Sequence, residues 1–93
     1  MLSVPVTAVL PIINQRGLHA RASAKFADCA RRFDATITVS REDYSVDAQS
    51  IMGLMMLAAG PGSEIAVSAE GPEAAAAVAA LAELVANRFG EDE

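Results

Sequence analysis

Histidine occurs once in this chain of 93 residues, at position 19. Gly17-Leu18 precede it, Ala20-Arg21 follow it, and Arg16 stands just before the glycine. An imidazole nitrogen can carry a phosphoryl group where cationic and N–H groups are placed to take up the charge. The residues after His19 promise such groups. Ala22, Phe26, Cys29, Ala30 and Phe33 recur at helical spacing, with Arg21, Lys25, Asp28 and Arg32 on the opposite face, so a helix is predicted from about Ala20 to Arg32. A helix N-terminus is an anion site, because its first amides are unpaired and the positive end of the macrodipole lies there. Gly17 marks a turn into it. No Asp or Glu precedes His19 and the first to follow is Asp28, so the neighbourhood is basic in a chain of formal net charge -5. His19 therefore reads as a phosphoryl acceptor and donor, with Arg21 receiving part of the charge. The plainer reading is an ordinary histidine, exposed or satisfied in a core. The flanking arginines weigh against it.

A second candidate begins at Ser50. Ile51-Met52-Gly53-Leu54-Met55-Met56-Leu57 is apolar almost all round, and a short helix on a small domain cannot bury every one of those faces. Ser50 is a natural N-cap for it. Three of the chain's four methionines fall here, and methionine suits adaptable docking surfaces. Ile51, Met52 and Met55 are thus expected to form an exposed patch that a partner covers. A phosphate on Ser50 would add about −1.5 to −2 charge at a helix N-terminus, where the dipole favours it. The plainer reading is a capping serine on a buried helix.

These two stretches need elements to hold them. Val4, Val6, Ala8, Leu10 and Ile12 alternate over 4–13, with Pro5 and Pro11 on the other face, which suits an edge strand. Residues 35–40 alternate clearly, turn at Arg41-Glu42-Asp43 and return over Tyr44–Asp47 as a hairpin. Ala58 to Ser63 ends the second helix and turns the chain into a strand over Glu64–Glu70, with Ile65, Val67 and Ala69 on one face. Gly71-Pro72-Glu73 reads as a helix start, with proline first and acid in the first turn. Val78, Leu81, Val85 and Phe89 form the stripe of that helix, Gly90 closes it, and Glu91-Asp92-Glu93 reads as a frayed acidic tail. The order is strand, helix, strand, strand, short helix, strand, helix, which implies an α/β two-layer sandwich with one open sheet face.

Composition narrows the function. The length suits a single domain over 1–93, and the hydrophobic fraction of 53% rests heavily on alanine, which favours close helix packing. One cysteine excludes an intramolecular disulfide, and Cys29, on the apolar face of its helix, reads as inert packing. No Cys/His cluster is present to bind zinc, and no metal or other cofactor is expected. The acidic balance disfavours nucleic acid and anionic membranes. The apolar N-terminal stretch lacks a basic n-region and carries two prolines, a poor signal peptide, and no apolar run spans a bilayer. A cytoplasmic protein without membrane insertion is the expectation. A small α/β regulatory or ligand-binding module that never carries phosphate is the competing reading, and an RNA-binding sandwich is disfavoured by the lack of paired strand aromatics.

Gly17-Leu18-His19-Ala20-Arg21, followed by Ser50-Ile51-Met52-Gly53-Leu54-Met55, resembles the HPr family, the histidine-containing phosphocarriers of the bacterial phosphotransferase system. The resemblance extends through Gly60-Pro61-Gly62-Ser63-Glu64-Ile65 and the element order, over nearly the whole chain. It implies an open-faced sandwich (α+β) of a four-stranded antiparallel sheet with three helices on one face. It also implies that enzyme I phosphorylates His19 on Nδ1 and that the group passes to an EIIA-type acceptor. Arg21 would match the family's active-site arginine. Ser50 would match the serine modified by the HPr kinase/phosphorylase, with Ile51, Met52 and Met55 in the docking surface of a monomer. Many members have proline after the arginine, whereas this chain has Ala22. Ala22 combined with the intact motif at Ser50 resembles the nitrogen-type, regulatory branch of the family.

Overall fold

The computed structural model describes residues 4–91, which lie in seven main elements. They are β1 (Val6–Pro11), α1 (Ala20–Arg31), β2 (Thr36–Arg41), β3 (Tyr44–Asp47), α2 (Ile51–Met56), β4 (Glu64–Glu70) and α3 (Ala74–Ala86), with a single 3-10 turn at Arg88–Gly90. The strands form one antiparallel sheet in the order β1-β4-β2-β3. Its inward residues, among them Leu10, Ile37, Val39, Ile65, Val67 and Ala69, are buried under the helices. The outward positions, including Val9 and Ala66, face solvent. The open sandwich with helices on one side is therefore the architecture of the chain.

β1 is an edge, as its prolines imply, but it is shorter than the alternating pattern. Its ladder with β4 runs from Val6 opposite Ala69 to Pro11 opposite Glu64. Val4 lies before that ladder and is 84% exposed, so its place on the inward face of the pattern is not realised. Beyond Pro11 the pairing closes through Ile12, whose N–H reaches the Ser63 carbonyl at 2.8 Å and whose carbonyl receives Gly62 N–H at 2.9 Å.

α1 buries Ala22, Ser23, Phe26, Ala27, Cys29 and Ala30, while Arg21, Lys25, Asp28 and Arg32 stay outside. Burial pushes the Cys29 thiol up from its ordinary range, against a smaller opposing effect of Arg32, which suits a packing role. α3 starts later than its proline suggests. Pro72 is outside the helix, Glu73 is its N-cap residue and no acid lies in its first turn. The cause is Asp34: its N–H donates to Glu73 Oε1 at 2.7 Å, and its carbonyl accepts from Glu73 N–H at 3.1 Å. That tie holds residues 71–73 against the turn after α1. α3 ends at Ala86 with Asn87 as C-cap, so Gly90 closes the 3-10 turn instead of the helix, and Phe89 inserts its ring into the core from that turn.

Candidate functional site

The turn before α1 is held by its own backbone and one buried amide. Gly17 N–H donates to the Asn14 carbonyl at 3.2 Å, and Asn14 Nδ2 donates to the Gly17 carbonyl at 2.9 Å. Gly17 takes φ +64°, a region open to glycine, and a Cβ there would strike the Ala59 carbonyl. Leu18 N–H donates to that same carbonyl at 2.9 Å. The turn before His19 is thereby fastened to the segment that follows α2.

His19 is the N-cap residue of α1, with extended backbone and its carbonyl receiving Ser23 N–H at 2.8 Å. Its ring does not cap the helix, and no acid occupies the first turn, so the leading amides of α1 keep their capacity for an anion. Arg21 sits in that first turn, exposed and without a hydrogen bond among the described residues. Arg16 lies exposed on the turn before.

The surroundings of the imidazole are not wholly basic. His19 Nε2 meets Glu91 Oε2 at 2.7 Å, and the second oxygen of the same carboxylate accepts from Asn14 Nδ2 at 2.7 Å. The side chains of His19 and Glu91 are 24% and 20% exposed. The hydrogen bond from His19, then that from Asn14, holds the Glu91 carboxyl below the usual carboxylate range, with the charge of Arg16 adding to them. Glu91 is delivered there by the 3-10 turn. Phe89 is buried in a left-handed conformation, its carbonyl accepts from Lys25 Nζ at 2.6 Å, and Glu91 N–H returns to the Arg88 carbonyl at 2.9 Å. The expectation of a frayed acidic tail therefore fails at Glu91. Asp92 and Glu93 lie outside the described residues.

Asn14 is fully buried, both its amide hydrogens are used, and its Oδ1 has no partner. Two oxygen acceptors at once can be served only by the nitrogen, so the orientation of the amide is determined. Asn14 belongs to the glycine turn in sequence, yet its bond to Glu91 spans 77 positions, and no local pattern signals it.

The second stretch folds as its residues require. Ser50 is the N-cap of α2, its Oγ accepting from Gly53 N–H at 3.0 Å. Leu54 and Leu57 are buried, whereas Ile51, Met52 and Met55 are exposed and Met56 joins them. Gly53 passes close over β3: a Cβ there would lie 2.9 Å from Val46 Cβ. Arg41 Nη1 donates to the Leu57 carbonyl at 3.1 Å and satisfies the other end of the helix. The two stretches meet through Ala59, at the far end of α2. Ser50 itself is tied at the other end of α2, its N–H donating to the Asp47 carbonyl at 3.0 Å and its own carbonyl accepting from Leu54 N–H at 2.9 Å.

An open-faced sandwich that presents one imidazole at an uncapped helix start, beside a helix with an apolar outer face, defines a class of small carrier. A family model described as the PTS HPr component phosphorylation site matches residues 6–87. The chain is 54% identical to the phosphocarrier protein HPr of Cupriavidus necator over 88% of its own length and 92% of that protein. It is 46% identical to the HPr of Neisseria meningitidis over 90% of its length and 94% of that protein. In three dimensions it is similar to HPr-C-His of Thermoanaerobacter tengcongensis, with a TM-score of 0.90 at 38% identity, covering 95% of this chain and 99% of that one. The chain belongs to the HPr family and is a phosphocarrier of the phosphotransferase system. No helix among the described residues is long and apolar enough to cross a membrane.

Proposed function

We propose that His19 is the phosphoryl acceptor, taking the group on Nδ1 from phosphorylated enzyme I and passing it to an EIIA-type protein. One observation carries this reading. The imidazole stands at the uncapped N-terminus of α1 with Nε2 engaged by Glu91, while Nδ1 makes no hydrogen bond among the described residues. In the step, the Nδ1 lone pair forms the N–P bond as the donor's bond to phosphorus breaks, and the donor leaves with that electron pair. Such transfers depend on positioning and charge stabilisation more than on covalent machinery. The leading amides of α1 and the Arg21 guanidinium supply the stabilisation, and the partners supply metal and substrate.

The whole chain serves this role as one domain, a monomer in the cytoplasm that meets its partners through Ile51, Met52 and Met55. Ser50 is the regulatory position, open to an HPr kinase/phosphorylase where the host has one. With Ala22 after Arg21 and the motif at Ser50 intact, the relay it serves is read as nearer the nitrogen-type, regulatory ones than the sugar-transport ones. Incubation with enzyme I and phosphoenolpyruvate tests the central claim. The parent becomes labelled with an acid-labile, alkali-stable group, as a phosphoramidate requires, and His19→Ala folds but takes no label. Undiminished labelling of His19→Ala would place the group elsewhere.

A further inference from the structure

We propose that Glu91 is a positioning residue for phosphoryl transfer: its carboxylate holds the Nε2–H form of the His19 ring and thereby presents the Nδ1 lone pair. This rests on the reading of His19 as the acceptor and adds the group that orients it. The contact is a built one. Each oxygen of Glu91 has its own partner, His19 Nε2 and Asn14 Nδ2, both at 2.7 Å, and Asn14 is 0% exposed. The main chain just before Glu91 is fixed by the buried Phe89 and by Lys25 Nζ on the Phe89 carbonyl.

The chemistry follows from the donor inventory. An ionised carboxylate only accepts, and a neutral imidazole has one N–H. The 2.7 Å contact therefore places the proton on Nε2 and the lone pair on Nδ1. When Nδ1 bonds to phosphorus the ring gains positive character, which the carboxylate on Nε2 offsets. The Nε2 proton need not leave. Onward transfer breaks the N–P bond, its electron pair returns to Nδ1, and the ring is again the Nε2–H form. Among the described residues, Arg16 on the turn and Arg21 and Lys25 on α1 bring positive charge to this end of the fold, and Glu91 is the acid that meets the ring.

Two variants of the full chain separate geometry from charge. Gln at position 91 can still accept from Nε2 but carries no charge, and Ala does neither. Nitrogen-15 NMR of the neutral ring reads the tautomer directly, a signal that loss of tail packing alone does not determine. The parent and Glu91→Gln should show Nε2–H dominant, whereas Glu91→Ala should show a shift toward the other tautomer. Labelling by phosphorylated enzyme I should slow roughly tenfold in Glu91→Ala, the scale of one charge-assisted hydrogen bond, with Glu91→Gln between. Circular dichroism should remain that of the parent. A labelled parent with unchanged tautomer and rate in Glu91→Ala would overturn the role of Glu91 and leave His19 standing. An unlabelled parent would overturn both.

Discussion

The two candidate sites of this molecule are made in opposite ways. Around His19 the parts come from distant stretches: Asn14 from the turn, the histidine from the start of α1, and Glu91 from beyond α3. Around Ser50 they come from one run of eight residues, Ser50 to Leu57, with the cap bonded to Gly53 three positions on. The first end is partly enclosed and polar, and its hydrogen bonds reach across the fold, with Asn14 Oδ1 left without a partner among the described residues. The second shows solvent an apolar face. The difference suits the tasks proposed for them. A reacting imidazole needs its orientation set from several sides, whereas a docking patch needs only a helix that keeps its shape and leaves methionines free to adapt.

Experiments that break the joint between these ends should have the largest effect. Gly17→Ala forces a Cβ into the Ala59 carbonyl at a backbone angle that disfavours side chains. A loss of about 2–4 kcal/mol in urea unfolding is expected, with slower phosphorylation as the turn shifts. Stability within 0.5 kcal/mol of the parent, about the scatter of neutral surface changes, would mean that the two segments part easily.

Arg21→Ala touches only the His19 end. The side chain is exposed and unbonded, so the melting temperature should not move. Transfer should slow by about ten- to a hundredfold, the value of a charge-assisted hydrogen bond of about 1.5–3 kcal/mol expressed in the transition state. Parental rates would show that the guanidinium does not reach the phosphoryl group.

At the docking end, cap and surface can be separated. Ser50→Ala removes the bond to Gly53 and should cost about 1 kcal/mol of stability. Ser50→Asp keeps an acceptor at the N-cap, so it should leave the melting temperature alone while raising the apparent KM for phosphorylation by enzyme I. The cause would be a charge desolvated in an apolar contact. Met52→Lys, on a side chain 70% exposed, should act the same way. Equal KM for both variants and the parent would detach this helix from the enzyme I contact.

The smallest effect concerns acid. Because the Glu91 carboxyl is held below its ordinary value in the fold, its contribution to stability is complete above the unfolded carboxylate range near 4.3. It is lost as pH falls through the lowered folded value. A melting curve followed downward in pH should show this loss in the parent and less of it in Glu91→Gln.

This contrast also explains what could be read from the chain alone. Period and capping chemistry are local, and α1, the 35–47 hairpin and the Ser50 helix were all readable because their stabilising partners lie within a few positions. The start of α3 was misread because Asp34, far back in the chain, takes the Glu73 carboxylate away from a helix cap. Glu91 was misread for the same reason on a larger scale. Its placement needs the left-handed turn at Arg88 and Phe89, conformations that neither residue type advertises. His19 was legible as a candidate from its arginines and glycine, but the carboxylate that faces it was not.

The strand order has a consequence during synthesis. Among the described residues, β1 has β4 as its sheet neighbour, and β4 is made long after it, whereas β2 and β3 can pair as soon as both exist. A nascent chain therefore carries a valine-rich segment with nothing to pair with, open to other chains. Pro5 and Pro11 flank that segment and withhold two N–H groups from any stray ladder. In the folded sheet Pro11 sits at the ladder's last rung, so the protection against wrong partners takes little from the right one.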